Sequence, residues 1–456
     1  MDVRMAFYQV CLCLCLAVVG SPGAHAQQQN GNQQGNQQGN QQGQVGGISI
    51  DAKGVVMAIT PLKESAAAAK KRQAAFMATN LAKPLATAAE SRRVSLTQLD
   101  LQLGEALKAG GEIPLELKYL AGLTRIDYVI VDRETQDLSI IGPAEGFAPD
   151  LQGRMRGVTS GRPVLNLEDL LIAWRTVAAK NTFVSCSIDP TKEGLAAFNA
   201  FTSQNLVATP NAAGKLFDTM AEKLGEQVIS VGGVPKDSHF AHILVEADLR
   251  MKRIALGRDP SNVKGVASQL AYQRSGGNSW SRWWFVPLYD PIQTNEDRSL
   301  FQLSGQRLQL LGQDDYFNPQ GDRSNAPFTK QGNTKFVQQF TDHIPELAEA
   351  HPAFAELQNL FDWLVVCTLI KTQQLDASIQ WQPQVLGDAS QLPTRVYPVP
   401  TGVNAVSATN RVGRTILGLV GGVNMNASEV TSKMSATGVK PARPLPTPHA
   451  SRVWND

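Results

Sequence analysis

Short runs in which hydrophobic and polar residues alternate mark the strands of this chain. Residues 48–60 and 127–143 each hold two such runs around a polar turn, and each predicts a β-hairpin. The runs at 181–190 and 227–234 predict single strands. Residues 283–313 contain three more alternating runs and predict three antiparallel strands.

Other segments repeat their apolar residues with helical period. Ser95 and Asn166 are typical N-caps, Gly110 is typical of a helix end, and Pro345 and Pro352 interrupt the later helices. The predicted helices span residues 63–82, 95–110, 166–180, 191–205, 217–225, 237–257, 334–351 and 352–371.

The order of these elements predicts the fold class. Strands that return mostly as hairpins, with packed helices between them, indicate a mixed, largely antiparallel α+β domain and not a doubly wound parallel sheet. Hydrophobic residues make up 43% of the 456 residues, enough for a large core. The net charge of +2 argues against nucleic-acid binding, which requires a concentrated basic surface.

The first 26 residues predict a secretory signal peptide. Arg4 precedes the apolar run 6–20, and Ala24 and Ala26 supply the small residues before a cleavage site at Gln27. No later run reaches the roughly 18 apolar residues of a membrane span. We therefore expect an exported protein, periplasmic or secreted and without a membrane anchor.

Both ends of the remaining chain have low-complexity composition. Residues 27–47 are rich in Gln, Asn and Gly and hold three copies of "GNQQ", which predicts a flexible tether. Residues 436–456 are rich in proline and without periodicity, which predicts a disordered tail. Residues 48–435 should form the globular region.

Cleavage of the signal peptide would leave two cysteines, Cys186 and Cys367. An oxidising compartment would permit a disulfide between them. Free cysteines are also among the most buried residue types, so two buried thiols are the alternative.

Several blocks of the chain resemble a known family. They include "YLAGLTRIDYVIVDRETQDLSIIGPAEGF", "TSGRPVLNLEDLLIAWR", "CSIDPTKEGL", "GVPKDSHFAHILVEADLRMKRIALG", "RWWFVPLYDPI" and "HPAFAELQNLFDWLVVCTLI". In this order, across about residues 48–375, they resemble a family of exported proteins of unknown function found chiefly in planctomycete bacteria. The resemblance implies export, a shared fold and a bacterial envelope setting, but no activity and no residue role.

The helix predicted at 237–257 has an unusual polar face. At about 100° per residue, one apolar face is centred between Phe240 and Ala247, and Val245 and Leu249 lie almost opposite. Between these faces five polar residues fall within about 80° of one another. This polar seam consists of His239, His242, Glu246, Arg250 and Arg253.

Three interpretations of the polar seam are open. Ion pairs four residues apart, Glu246 with Arg250 and Asp248 with Lys252, would make it a structural feature of a doubly packed helix. His239, His242 and Glu246 have a spacing that a metal ion could use, although the arginines would repel a cation. The histidines and arginines would also suit an anion or a sugar acid.

The aromatic segment 280–285 is a second candidate. Trp280, Trp283 and Trp284, beside Arg282, could stack on sugar rings or on a partner protein. Alternation along a strand places Trp283 and Trp284 on opposite faces, so we expect at least one of them in the core.

The usual linear motifs of zinc hydrolases, serine hydrolases, calcium loops and phosphate loops are absent from the sequence. We therefore assign no catalytic residue, metal or cofactor from it.

Two functions remain. The favoured one is a non-catalytic envelope module that binds a polysaccharide or an exported protein. The alternative is an exported hydrolase whose site assembles from distant residues. A closed pocket lined by His239, His242 and a carboxylate would favour chemistry, whereas a shallow aromatic surface would favour binding. For the polar seam, we expect Arg250→Ala to lower stability by leaving Glu246 unpaired.

Overall fold

The structure is a computed structural model of the chain. It describes residues 15–16, 49–50, 54–57, 64–204, 213–272, 280–317, 323–406, 409–410, 415–416, 419–436, 438–439, 441–449 and 451–456. The predicted signal peptide, apart from the backbone of residues 15–16, and the predicted tether 27–47 lie outside the described residues.

The α-helices include one long central helix and several short ones. They are α1 Ala66–Asn80, α2 Lys83–Ala86, α3 Leu96–Lys108, α4 Leu115–Lys118, α5 Leu167–Ala178, α6 Lys192–Thr202, α7 Ala213–Leu224, α8 His239–Ala255, α9 Gln269–Tyr272, α10 Gln331–Asp342, α11 Ile344–Ala350, α12 Pro352–Thr372, α13 Leu375–Ser378 and α14 Ala427–Thr431.

The strands are mostly short. They are β1 Cys15–Leu16, β2 Ser49–Ile50, β3 Val56–Met57, β4 Ala89–Ser95, β5 Tyr128–Asp132, β6 Asp137–Ala144, β7 Phe147–Pro149, β8 Met155–Gly157, β9 Phe183–Pro190, β10 Glu226–Gly232, β11 Trp280–Leu288, β12 Ile292–Thr294, β13 Leu300–Gln302, β14 Arg307–Phe317, β15 Arg323–Asn325, β16 Gly402–Val406, β17 Thr409–Asn410, β18 Thr415–Ile416, β19 Leu419–Asn426, β20 Met434–Ser435 and β21 Trp454–Asn455.

Two larger sheets organise these strands. One has the order β1-β16-β10-β9-β19-β11-β14-β15 and the other the order β20-β12-β13-β5-β6-β4-β21. Within them only β11 with β19 and β12 with β20 pair in parallel; the other pairs are antiparallel. The α+β class, with largely antiparallel strands and packed helices, is confirmed.

Helices α5, α8 and α12 form the centre of the main hydrophobic core. α8 packs on β9 and β19 of the first sheet, and α12 packs on α5 and α8. Eighteen residues of α12, from Ala353 to Ile370, are buried. Among the described residues α12 is the one helix long and apolar enough to cross a membrane, yet its apolar window is wholly buried inside the protein.

Local sequence signals located the longer helices and several strands correctly. Both predicted hairpins form, β2 with β3 and β5 with β6. Ser95 accepts a hydrogen bond from the Gln98 amide at the start of α3, and Asn166 accepts one from the Glu168 amide at the start of α5. Gly110 follows α3 with φ +65°, a left-handed conformation that glycine adopts without steric cost.

The prediction of three antiparallel strands within 283–313 is wrong in number and in partners. The region contributes four strands: β11 pairs with β14 in the first sheet, and β12 pairs with β13 in the second. Alternation shows that a segment is extended but contains no information on which sheet it joins. The chain therefore passes from one sheet to the other and back within this region.

The prediction of a disordered tail at 436–456 is wrong at its end. Trp454–Asn455 pairs antiparallel with β4, and Val453 is buried. The buried guanidinium of Arg92 binds both carboxylate oxygens of Asp456 and lies 4.6 Å from the centre of the Trp454 ring. A buried arginine requires such partners, and a search for periodicity does not detect them.

Candidate active site

A small cavity lies where the N-terminal ends of α5, α8 and α12 meet the turn between β7 and β8. Its volume is about 60 Å³. The ionisable side chains that line it include Arg154, Asp169, His239 and Glu356, which come from four separate segments of the chain. The amide of Asn359 and the aromatic rings of Tyr119 and Tyr397 also line the cavity.

Each element places its residue by local rules. Asp169 stands in the first turn of α5, after its Asn166 cap. His239 is the first residue of α8, whose cap Ser238 accepts a hydrogen bond from the Ala241 amide at 3.1 Å. Arg154 leaves a turn held by Asp150, whose side chain accepts from the amide of Arg154 at 3.0 Å.

Tyr119 is held at the cavity by an unusual turn. The next three residues, 120–122, all have positive φ. Gly122 is required there, because a Cβ at this position would lie 2.3 Å from the backbone oxygen of Glu145. The turn is therefore specified by close backbone packing as well as by its dihedral angles.

His239 and Asp169 form a buried pair. Nδ1 of His239 lies 2.9 Å and 3.1 Å from the two carboxylate oxygens of Asp169, and the Tyr397 ring packs edge-on against the imidazole at 5.0 Å. Burial alone would lower the pKa of His239, but the charge and hydrogen bond of Asp169 raise it to about 9. At neutral pH the ring is an imidazolium that donates Nδ1–H to Asp169.

The second nitrogen of this ring is available to the cavity. His239 lines the cavity, and the part of the chain that the structure describes places no hydrogen-bond partner on Nε2. An oriented imidazolium with one free N–H is a general acid in the arrangement that acid–base enzymes use.

Arg154 joins two carboxylates behind the cavity. Its Nη1 donates to Oε2 of Glu356 and its Nη2 donates to Oε2 of Glu246. Burial opposes the charge of the guanidinium, but the two carboxylates raise the pKa of Arg154 above its ordinary value. The three side chains are a buried charged triad that fixes Glu356 in place.

Glu356 is the unusual carboxyl of the site. Burial raises its pKa to about 7, against the lowering effect of the charges of Arg154 and His239. Its Oε2 accepts from Arg154, and among the described residues no group donates to its Oε1. A carboxyl that titrates near neutral pH beside an imidazolium is a typical feature of an acid–base site.

His242 lies behind the cavity as a neutral ring. Its Nδ1–H donates to the backbone oxygen of Pro398 at 2.9 Å, and burial lowers its pKa. Its Nε2 lies 3.8 Å from Oε2 of Glu246 and has no hydrogen-bond partner among the described residues. Nε2 of the neutral ring therefore has no proton to donate to Glu246, and His242 does not line the cavity.

The structure divides the polar seam into separate places. His239 lines the cavity, and His242 and Glu246 lie behind it. Arg250 and Arg253 both bind Asp259, the first at 2.9 Å and the second at 2.6 Å. The five residues of the polar seam therefore do not form one site. They do not form an anion-binding cluster either, because both arginines bind the carboxylate of Asp259, outside the cavity.

The predicted Glu246–Arg250 ion pair is wrong. Glu246 binds Arg154, which lies 92 positions away in sequence, and Arg250 turns to Asp259. Helical spacing identifies neighbours on one helix but not the partners that a packed helix meets in space. The second predicted pair is confirmed: Nζ of Lys252 lies 2.8 Å from Oδ2 of Asp248, and both side chains are fully buried.

Replacing Arg250 with alanine should therefore lower the stability of the fold only slightly. Asp259 would keep Arg253 as its partner, and the Arg250 side chain is 28% exposed. We expect a loss of at most about 1 kcal/mol in the free energy of unfolding, as for partly exposed ion pairs. Urea unfolding at pH 7 measures it; a loss of about 3 kcal/mol would show that Glu246 depends on Arg250 after all.

The tryptophan cluster is mostly core. Trp283 is fully buried and donates its Nε1–H to Oδ1 of Asn333 at 2.6 Å. Trp280 is buried against Phe198. Only Trp284 is partly exposed, and the guanidinium of Arg282 lies 4.5 Å from the centre of its ring. The expectation that at least one of Trp283 and Trp284 is core is confirmed, and the three do not form a binding surface.

Cys186 and Cys367 are both buried free thiols. Burial raises the pKa of each thiol. The candidate disulfide is therefore absent, and the alternative of two buried thiols describes both residues.

Sequence reasoning missed four side chains of the cavity: Arg154, Asp169, Glu356 and Asn359. A carboxylate in the first turn of a helix, such as Asp169, is common because of the helix dipole and so gives no signal of a site. Glu356 and Asn359 are among the polar residues that interrupt the mostly apolar helix α12, and those interruptions were the signal that could have identified them. Arg154 lies in an ordinary turn and has no local signal.

A metal centre has no support here. Among the described residues no group of three or more His, Cys, Asp and Glu side chains could hold a metal ion.

The chain matches neither a curated protein nor a solved structure. One family does match part of it. The matched segment runs from β9 to the start of α9 and includes α8 with His239, whereas Arg154, Asp169 and Glu356 lie outside it. Residues 186–269 match the family described as "Protein of unknown function (DUF1598)", which confirms the resemblance of this part of the chain to a domain of unknown function.

Proposed function

We propose that the protein is a hydrolase that works by general acid–base catalysis in the cavity between α5, α8 and α12. One observation carries this proposal: the imidazole of His239 and the carboxyl of Glu356 line the same small cavity with pKa values of about 9 and about 7. Both pKa values are raised, and that of the imidazole lies above that of the carboxyl. Between about pH 7 and 9 the carboxylate of Glu356 can therefore accept a proton while His239 still has one to donate.

The roles follow from the contacts. Oε1 of Glu356 accepts a proton from water as the water oxygen bonds to the electrophilic atom of the substrate. Nε2–H of His239 donates a proton to the leaving group as its bond breaks. The proton then returns from Glu356 to His239 through solvent. Asp169 orients the ring, and Arg154 holds the carboxyl, so both are positioning residues.

The alternative of an envelope binding module has less support. One of the observations in its favour was a possible exposed aromatic surface, and Trp280 and Trp283 lie in the core. A small cavity lined by His239 and Glu356, although not by His242, favours chemistry on one group of a substrate. The substrate that we propose is therefore a small linkage within an envelope polysaccharide or an exported protein.

The proposal includes export. Arg4, the apolar run 6–20 and the small residues Ala24 and Ala26 support secretion, and the active protein would begin at Gln27. Protein recovered from the periplasm or medium of a bacterial host should have the mass of residues 27–456, which intact mass spectrometry measures.

The exported protein should hydrolyse one class among nitrophenyl esters, peptide nitroanilides and nitrophenyl glycosides. His239→Asn and Glu356→Gln should each lower kcat/KM by about 100-fold or more, as expected for loss of a general acid or base. The matched controls are His343→Asn and Glu346→Gln, which change partly exposed residues outside the cavity.

Two outcomes would contradict this function. One is the absence of hydrolysis of all three classes above the buffer rate. The other is hydrolysis that His239→Asn and Glu356→Gln leave at the rate of the controls.

A further inference from the structure

The cavity contains a hydrogen-bond acceptor that the proposed chemistry does not use. Asn359 lines the cavity and is 4% exposed. Its Nδ2–H donates to the backbone oxygen of Pro163 at 3.2 Å, which fixes the orientation of the amide. Its Oδ1 is buried and has no hydrogen-bond partner among the described residues. A buried acceptor without a partner costs free energy unless a ligand supplies a donor.

The charges of the cavity select against ionic ligands. Among its described lining residues the cations are Arg154 and His239, and each already binds a carboxylate. An anion would lie beside the carboxylates of Asp169 and Glu356, which line the same cavity and would repel it. A cationic ligand would meet the imidazolium of His239. Besides Oε1 of Glu356, the proposed base, the groups that a neutral ligand can use include the donor Nε2–H of His239 and the acceptor Oδ1 of Asn359.

The size and the remaining walls narrow the ligand further. A cavity of about 60 Å³ holds roughly four or five non-hydrogen atoms at ~10–15 Å³ each. Met155, Val164 and the ring of Tyr119 give it an apolar side. The matching group is small and neutral, has one donor and one acceptor, and bears a methyl or methylene.

We infer that the cavity binds a secondary amide: an N–H donates to Oδ1 of Asn359, and the carbonyl oxygen accepts from Nε2–H of His239. The acyl methyl or methylene would pack against Met155 and Val164. This inference rests on the proposed function and names its substrate class, an N-acyl amide as found in acetylated amino sugars and in peptides. His239 would then contact the substrate directly.

Saturation-transfer NMR on the wild-type protein tests this inference with small probes. N-methylacetamide should bind saturably, at least ten-fold more tightly than N,N-dimethylacetamide, which lacks the N–H. Acetate and methylammonium should bind at least ten-fold more weakly as well. Equal affinity for N-methylacetamide and N,N-dimethylacetamide, or no saturable binding of N-methylacetamide, would overturn the inference.

Variants identify the contact. Asn359→Leu keeps the branching of the side chain and removes both its acceptor and its donor to Pro163. N-methylacetamide should then bind at least ten-fold more weakly, whereas the exposed Asn80→Leu variant should bind it as the wild type does. The melting temperature of each variant reports folding. If Asn359→Leu does not fold, the comparison of N-methylacetamide with N,N-dimethylacetamide on the wild-type protein still tests whether the cavity binds an amide N–H.

The same series separates this inference from the proposed function. Glu356→Gln removes the base and should abolish turnover while N-methylacetamide still binds within about three-fold. If the wild type binds N-methylacetamide but hydrolyses no substrate, the proposed hydrolase function is wrong and the amide inference stands. If substrates without an amide N–H are hydrolysed, and Asn359→Leu hydrolyses them at the full rate, the amide inference is wrong and the hydrolase function stands. Comparing N-acetylglucosamine with glucosamine, and N-acetylalanine methyl ester with alanine methyl ester, distinguishes a sugar from a peptide source.

Discussion

Replacing Arg154 with methionine should lower the free energy of unfolding by about 3–5 kcal/mol at neutral pH. The guanidinium is the buried partner of both Glu246 and Glu356. Without it, two buried carboxylates would face each other, and at least one must take up a proton to relieve the repulsion. The loss should be smaller at pH 5 than at pH 8, because protonation is easier there. Urea unfolding at the two pH values measures both effects.

A matched series tests the cause. Combining Arg154→Met with Glu246→Gln and Glu356→Gln should recover most of the lost stability, since no charge would remain stranded. Arg250→Ala, which removes an arginine from an ion pair on the same helix bundle, is the control. A loss below about 1 kcal/mol for Arg154→Met would mean that the triad is not coupled as its contacts indicate.

Stability should fall as the pH rises from about 6 to about 9. The folded pKa of His239 is about 9, above its ordinary value of 6.5. The imidazolium therefore contributes stability that is fully present below pH 6.5 and is lost as the pH rises through 9. At about 1.4 kcal/mol per pKa unit, this contribution amounts to about 3 kcal/mol.

Glu356 acts in the same direction at lower pH. Its folded pKa of about 7 lies above the ordinary 4.5, so its contribution is full below pH 4.5 and is lost as the pH rises through 7. Thermal unfolding at pH 5, 6.5, 8 and 9 should show the decline. His239→Asn should reduce the decline in melting temperature above pH 6.5, and Glu356→Gln should reduce the decline below pH 7. The control His343→Asn should leave the decline unchanged. If His239→Asn shows the same decline as the wild type, other ionisable groups cause it.

Both predictions concern contacts that were absent from the sequence-based expectations. One interpretation of the polar seam paired Glu246 with Arg250 on the same helix, whereas Glu246 pairs with Arg154 and His239 pairs with Asp169. Charged residues on a packed helix bind the nearest opposite charge in space. The aromatic segment illustrates the same point, because alternation correctly separated Trp283 from Trp284 but could not show that Trp280 also packs in the core.

Interactions between residues close in sequence specify the secondary structure of this protein. The caps at Ser95, Asn166 and Ser238, the two hairpins and the helical periods depend on residues a few positions apart, whose interactions form whatever the rest of the chain does. The cavity, the division of strands between two sheets and the strand at Trp454–Asn455 depend on contacts between distant parts of the chain. The key contacts of the cavity join residues 70, 92 and 202 positions apart. Burial and charge pairing across such distances exist only after the helices have packed, so they leave no periodic trace in the sequence.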